Sequence, residues 1–176
     1  MTRRPPVWLR ALAAVAVVSA ATGPTARAQA DSVAGGGTVV SGIVGRAAFD
    51  NVRVTILGLD FTDIAFGRLA AHASVATWLQ AVEAGGILID FEGGPLFATR
   101  LFPSGAVGVY GGMNVLLVVA GNRPTAAPGA HLGAVVMAAM GPSTWLRISL
   151  SRRWYGAQAD IPRATVVTLG LGFRVP

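Results

Sequence analysis

Hydrophobic and polar positions alternate most regularly at the C-terminal end of the chain. Val167, Leu169, Leu171, Phe173 and Val175 are apolar, while Thr168, Gly170, Gly172 and Arg174 between them are small or polar. Successive side chains of a strand point to opposite faces, so residues 163–175 predict a strand with one apolar face. Residues 143–155 repeat the pattern: Leu146, Ile148, Leu150 and Trp154 share one face, and Trp145, Arg147, Ser149, Ser151 and Arg153 the other. Residues 105–120 do so again, with Val107, Val109, Met113, Val115, Leu117 and Val119 opposite Ala106, Gly108, Tyr110, Gly112 and Asn114. Gly141-Pro142 predicts a tight turn back to a strand over 129–140. The Pro-bearing stretch 122–128 predicts a polar loop.

The first half is less regular. Residues 38–49, 52–59 and 64–79 predict strands, separated by turns at Asp50-Asn51 and at Phe61-Thr62-Asp63. Two further segments, 85–92 and 95–102, would bring the total to nine. Closed bacterial barrels have even strand numbers, so the two are joined into one long strand with a bulge at Gly93-Gly94. A missed tenth strand is the alternative repair. Connections then alternate: 156–162 long, 141–142 short, 121–128 long, 103–104 short. Membrane barrels have short periplasmic turns and longer outer loops, which sets the C-terminus on the periplasmic side. The predicted fold is all-β, a single antiparallel up-and-down transmembrane β-barrel of eight strands.

The N-terminal segment changes the picture of charge. Arg3, Arg4 and Arg10 precede an apolar run from Ala11 to Ala21, and Ala28-Gln29-Ala30 offers a small-x-small cleavage site. The run is too short for a spanning helix, which needs about 20 residues. Residues 1–30 therefore read as a cleaved signal peptide, 31–37 as a flexible Gly-rich leader and 38–176 as the barrel. Four of the fourteen basic residues leave with the signal, so ten arginines face eight acids and the net charge falls from +6 to +2. No clustered basic face speaks for nucleic acid. The absence of Cys excludes a disulfide framework and thiolate chemistry. A chain that is 53% hydrophobic and only 12% charged, with 23 glycines, suits a barrel whose outside meets lipid and whose narrow inside needs small residues.

The hairpin from Ala130 through Gly141-Pro142 to Leu146-Arg147-Ile148-Ser149-Leu150-Ser151-Arg152-Arg153-Trp154-Tyr155-Gly156, and the final Val167-Thr168-Leu169-Gly170-Leu171-Gly172-Phe173, resemble small bacterial outer-membrane β-barrel domains. Such domains usually end on an aromatic residue read by the insertion machinery. This chain ends on Val175-Pro176, with Phe173 in phase two residues earlier. The resemblance implies residence in the outer membrane of a diderm bacterium, with lipids, lipopolysaccharide and the insertion machinery as partners. It does not choose between anchor, adhesin, pore and enzyme.

Residues placed by phase on the inner face are Arg147, Ser149, Ser151, Arg153, Thr168 and Arg174, with His131 and, less directly, Asp60, Asp90 and Glu92. Buried charges require partners, which predicts an internal ion-pair network. Arg152, Trp154 and Phe173 fall on the outer face at the membrane rim, where rings and cations meet headgroups. His72-x-Ser74 with Glu83 is the one arrangement with hydrolase residue types. It is similar to the catalytic segment of outer-membrane lipid A deacylases, but Val75 stands where an Asn would follow. The expectation is a non-enzymatic, monomeric barrel of structural or interaction type, with no cofactor or metal. Its rivals are a soluble periplasmic or secreted β-barrel or sandwich binder, whose apolar faces would turn inward, and a lipid A deacylase-like enzyme.

Overall fold

The computed structural model describes residues 37–50, 52–64, 69–79, 86–102, 104–120, 123–156 and 163–175. Eight strands, β1 (Gly37–Phe49), β2 (Val52–Ile64), β3 (Leu69–Trp78), β4 (Gly86–Phe102), β5 (Gly105–Ala120), β6 (Arg123–Ala139), β7 (Thr144–Tyr155) and β8 (Arg163–Val175), pair antiparallel in sequence order, and β8 closes on β1. Closure leaves no free sheet edge along the barrel wall, which any β-structure in lipid requires. No helix among the described residues is long and apolar enough to cross a membrane.

The two faces of the wall divide as the alternation predicts. Leu57, Leu59, Phe61, Phe91, Val109, Leu150, Leu169, Leu171 and Phe173 all point outward and are exposed. A soluble binder would turn its large apolar side chains inward, so this distribution rules out that alternative. Inside, two apolar clusters lie one above the other. Val39, Leu96, Tyr110, Met137 and Trp145 gather toward the end where β1 begins and β8 finishes. Ile56, Trp78, Leu116, Tyr155 and Val166 gather toward the opposite end.

Several boundaries differ from the sequence expectation, and each difference has a local cause. Gly37, assigned to the leader, opens β1 and pairs with Ile64. The predicted turn at Phe61-Thr62-Asp63 lies within β2, which runs to Ile64, so β3 begins at Leu69 rather than at 64. Thr62 looked like a turn residue because it is polar; it faces the lumen and its hydroxyl donates to Asp60 Oδ1 at 2.6 Å.

No bulge occurs at Gly93-Gly94. The β4–β5 register is unchanged from Gly93↔Met113 to Leu96↔Tyr110, and it shifts only between Arg100 and Phe102. The glycine pair permits close approach instead: a Cβ on Gly94 would lie 2.8 Å from the Gly112 Cα of the next strand.

The polar loop over 121–128 is mostly strand. Arg123 already pairs with Ala120, and Pro124 and Pro128 pair with Val119 and Val115. Pairing of β6 with β7 begins only at Gly129↔Tyr155. The two prolines therefore sit where β6 has a single neighbour, the edge setting in which a missing N–H is tolerated. With only residues 121 and 122 between β5 and β6, the alternation of long and short connections fails at that hairpin. The signal segment, Glu83 and most of the 156–162 connection lie outside the described residues.

Candidate functional site

Between the two apolar clusters lies a layer of buried polar and charged side chains, each set inward by the strand period. β2 supplies Asp60 and Thr62, β3 His72 and Ser74, β4 Asp90 and Glu92, β7 Arg147, Ser149, Ser151 and Arg153, and β8 Thr168. Arg174 shares the inward phase but lies at the rim, pairing with Val39, and is only half-buried. Arg147 and Arg153 reach across the lumen from β7 to carboxylates on β2 and β4, so the network braces the barrel along chords rather than around its wall.

One half centres on Asp60. Its Oδ2 lies 2.7 Å from His72 Nε2 and 3.1 Å from Arg147 Nη2, so two donors converge on a single oxygen. Arg147 also donates to Ser149 Oγ at 3.4 Å, and Ser149 shares a 2.6 Å hydroxyl contact with Thr168. The other half centres on Arg153. Its Nη1 donates to Asp90 Oδ2 at 2.5 Å, an oxygen that also accepts from the Tyr155 hydroxyl at 2.5 Å. Its Nη2 lies 3.0 Å from Glu92 Oε2, and Glu92 Oε1 accepts from Ser74 Oγ at 2.9 Å. His72 joins the halves, standing 3.9 Å from Glu92 Oε1. The ion pairs of Asp60, Asp90 and Glu92 all belong to this layer.

Tyr110 of β5 fills the space beside it. Its ring centroid lies 4.4 Å from that of His72 and 5.8 Å from that of His131, and the Arg147 guanidinium sits 5.8 Å from it. Gly133 makes room for this ring, since a Cβ there would approach Tyr110 Cζ to 2.6 Å.

The arrangement holds charge but does not form a hydrolytic site. Ser74 gives its hydroxyl hydrogen to Glu92, and His72 is turned to Asp60. The serine and histidine are both buried in the lumen, on the face away from lipid. No group of three or more His, Cys, Asp or Glu among the described residues could hold a metal ion.

On the outside, Arg152 is half-buried and donates to Thr165 Oγ1, while Trp154 and Phe173 are exposed toward opposite ends of the wall. Three participants in the luminal layer, Thr62, Tyr110 and Tyr155, were missed from sequence. The first two share the phase of residues already placed inward, and that phase was the available signal. Tyr155 shares the phase of Arg147, Ser149, Ser151 and Arg153 as well, and was passed over because it closes its strand beside a connection.

No protein-family model and no curated protein matches the chain. Solved structures do. Neisserial surface protein A aligns with a TM-score of 0.54 at 13% identity, over 80% of this chain and 96% of that one. The N-terminal β-barrel domain of Pseudomonas aeruginosa OprF aligns with a TM-score of 0.58 at 13% identity, over 80% and 99%. Ail, the attachment invasion locus protein of Yersinia pestis, aligns with a TM-score of 0.50 at 13% identity, over 80% and 97%.

The fold is that of the small bacterial outer-membrane β-barrels. At this identity the likeness concerns the backbone, and the luminal layer has to be read from this chain's own residues.

Proposed function

We propose that the protein is a closed, non-conducting barrel of the outer membrane, a monomeric structural or interaction protein that works through its outer surface rather than its lumen. The observation that carries this reading is the stacking inside the barrel. A charge-paired layer lies between two apolar clusters, with Trp145 buried on one side and Trp78 on the other. An eight-stranded wall encloses little more than its own side chains, and paired charges between apolar plugs offer ions no continuous wet path.

In this reading residues 1–30 are removed on export and the insertion machinery receives the barrel through β8. Both termini then face the periplasm, and the connections over 79–85 and 156–162 face outward. Arg147, Ser149, Ser151, Arg153 and Thr168 serve as the brace, and Arg152, Trp154 and Phe173 set the barrel's depth in the bilayer.

The test is conductance of the refolded protein in planar bilayers, on material shown to be folded by its heat-dependent gel mobility. Absence of discrete channels is expected. Stable unitary currents from the folded species would refute the closed lumen. For the enzymatic alternative, cells overexpressing the wild type should keep their lipid A acylation pattern, and acyl loss that disappears in H72A would reinstate it.

A further inference from the structure

The outward face of the wall is apolar over different heights on its two sides. On β1 the outward positions between Thr38 and Arg46 are Val40, Gly42 and Val44, and on β7 those between Thr144 and Arg152 are Leu146, Ile148 and Leu150. On β6 every outward position from Pro124 to Ala138 is apolar, and on β5 every one from Val107 to Val119 is apolar or glycine. A strand rises about 3.3 Å per residue and tilts about 40° in a barrel, so each residue gains about 2.5 Å along the axis. The uncharged run is then about 20 Å tall on β1 and β7, about 30 Å on β5 and about 35 Å on β6.

The register shows at which end the excess lies. Following paired residues around the wall from Trp154 through Ala130, Met113, Gly93, Ala73, Phe61, Val40 and Phe173 returns to β7 at Thr144, ten residues nearer its start. Positions at one height therefore shift by about one and a quarter residues per strand against the pairing. On that basis Arg152 of β7 is level with Arg46 of β1, Phe91 of β4, Met113 of β5 and Ala130 of β6. Beyond this level, toward the end where β7 finishes, β8 and β2 turn Arg163 and Arg53 outward. There β4 carries Ile87 and Ile89, β5 Val115, Leu117 and Val119, and β6 Pro124, Ala126 and Pro128, of which Ile87, Ala126 and Pro128 are exposed. The apolar wall continues past the arginine level for about 10 Å on β4 and about 17 Å on β6.

Arginine on the lipid face is costly at mid-bilayer and nearly free at the interface, so Arg46 and Arg152 mark the membrane surface on their side. On the other side the apolar extension is continuous with the lipid-facing wall below it and carries no charge among the positions named. Membrane barrels carry an apolar band about 25 Å tall, and a wall that departs from the local thickness is met by thinning or thickening of the bilayer. One side of this wall is shorter than that band and the other is taller.

We propose that the barrel has a wedge-shaped apolar belt whose partner is a sloping lipid surface: the leaflet at this end thins beside β7, β8 and β1 and keeps its full height along β4, β5 and β6. In the orientation proposed above, that leaflet is the outer one. The inference rests on the membrane placement of the barrel and is independent of whether the lumen conducts.

The chain has no Cys, so single cysteine variants of the full-length barrel, reconstituted in dioleoylphosphatidylcholine vesicles, can be spin-labelled at chosen heights. Power saturation with oxygen and with a water-soluble nickel chelate reads the depth of each label, and heat-dependent gel mobility confirms folding. Val44 and Leu132 are level and both exposed. The label of V44C should lie about 5 Å or more nearer the water than that of L132C. The label of A126C, about 15 Å farther along the axis than that of L132C, should still meet oxygen in preference to the chelate. At the opposite end F173C and A138C, again level, should read equal depths, and L171C with V136C replaces that pair if F173C does not fold. Equal depths for V44C and L132C would overturn the proposal, as would a label of A126C that sits in water. Unequal depths at the opposite end would also overturn it, since they mean a rigid tilt of the barrel in a flat bilayer. Labels that all report water would overturn the membrane placement itself, whereas a flat depth profile refutes this inference alone.

Discussion

Replacing Arg153 with Met tests the luminal brace most directly. Arg153 is 2% exposed and serves two carboxylates, Asp90 and Glu92, themselves 1% and 7% exposed. Methionine fills most of the same volume, so the change removes charge and hydrogen bonds without opening a large cavity. Asp90 keeps the Tyr155 hydroxyl and Glu92 keeps Ser74, but neither retains a cation from β7. Removing one partner of a buried ion pair costs about 3–5 kcal/mol, because the other charge stays buried and uncompensated. That corresponds to about two to four orders of magnitude in the folding equilibrium at 1.36 kcal/mol per tenfold.

The assay is denaturant unfolding of the barrel in lipid vesicles, followed by tryptophan fluorescence and extrapolated linearly to zero denaturant. A triple variant, D90N/E92Q/R153M, removes the charges together. If the penalty comes from stranded carboxylates, the triple variant should recover most of the loss and be clearly more stable than R153M. The reasoning is refuted if R153M loses less than about 1 kcal/mol, the range of an exposed pair, or if the triple variant is no better than the single one.

Three further outcomes follow from the same geometry. Gly94→Val should prevent assembly, with no heat-modifiable species on gels, because its Cβ would collide with the Gly112 backbone; Gly42→Ala, whose Cβ meets nothing within 4 Å, should fold normally. Leu169→Arg, on an exposed position in the middle of β8, should cost about 2–4 kcal/mol in vesicle unfolding, whereas Val175→Arg at the strand's end should cost at most about 1 kcal/mol. W78A/W145A removes the largest buried side chain from each apolar cluster and should raise bilayer conductance above the wild-type baseline if those clusters are the barrier.

How far the sequence could be read depended on what lines each face. β5, β7 and β8 were legible because hydrocarbon on one side and a crowded lumen on the other impose a clean period of two. In β2 the luminal residues Asp60 and Thr62 are polar, and two polar residues flanking Phe61 imitate a turn when the inside of the barrel is not yet known. Pro124 and Pro128 imitated a loop because proline is excluded from a doubly paired strand; the projection of β6 beyond β7 removes that exclusion, and nothing local in the sequence announces it. Gly93-Gly94 looked like a bulge, yet Gly94 lies close against the backbone of another glycine pair, Gly111-Gly112, on the next strand. The membership of the polar layer followed largely from phase. Its pairings did not, since Arg153 meets Asp90 across 63 residues only after closure fixes which parts of β7 and β4 share a height.

That closure bears on why charge sits inside at all. A slip of one residue in β7 would turn Arg147 and Arg153 into lipid and Leu146 and Ile148 into the lumen. A slip of two would keep the faces but move each guanidinium along the strand, away from Asp60 and from Asp90 and Glu92. An all-apolar lumen of alternating small and large residues would penalise the first error and tolerate the second far better. The chordal pairs penalise both, because each displaced arginine leaves a buried carboxylate stranded. The luminal charges are therefore best understood as fixing the register of a closed sheet.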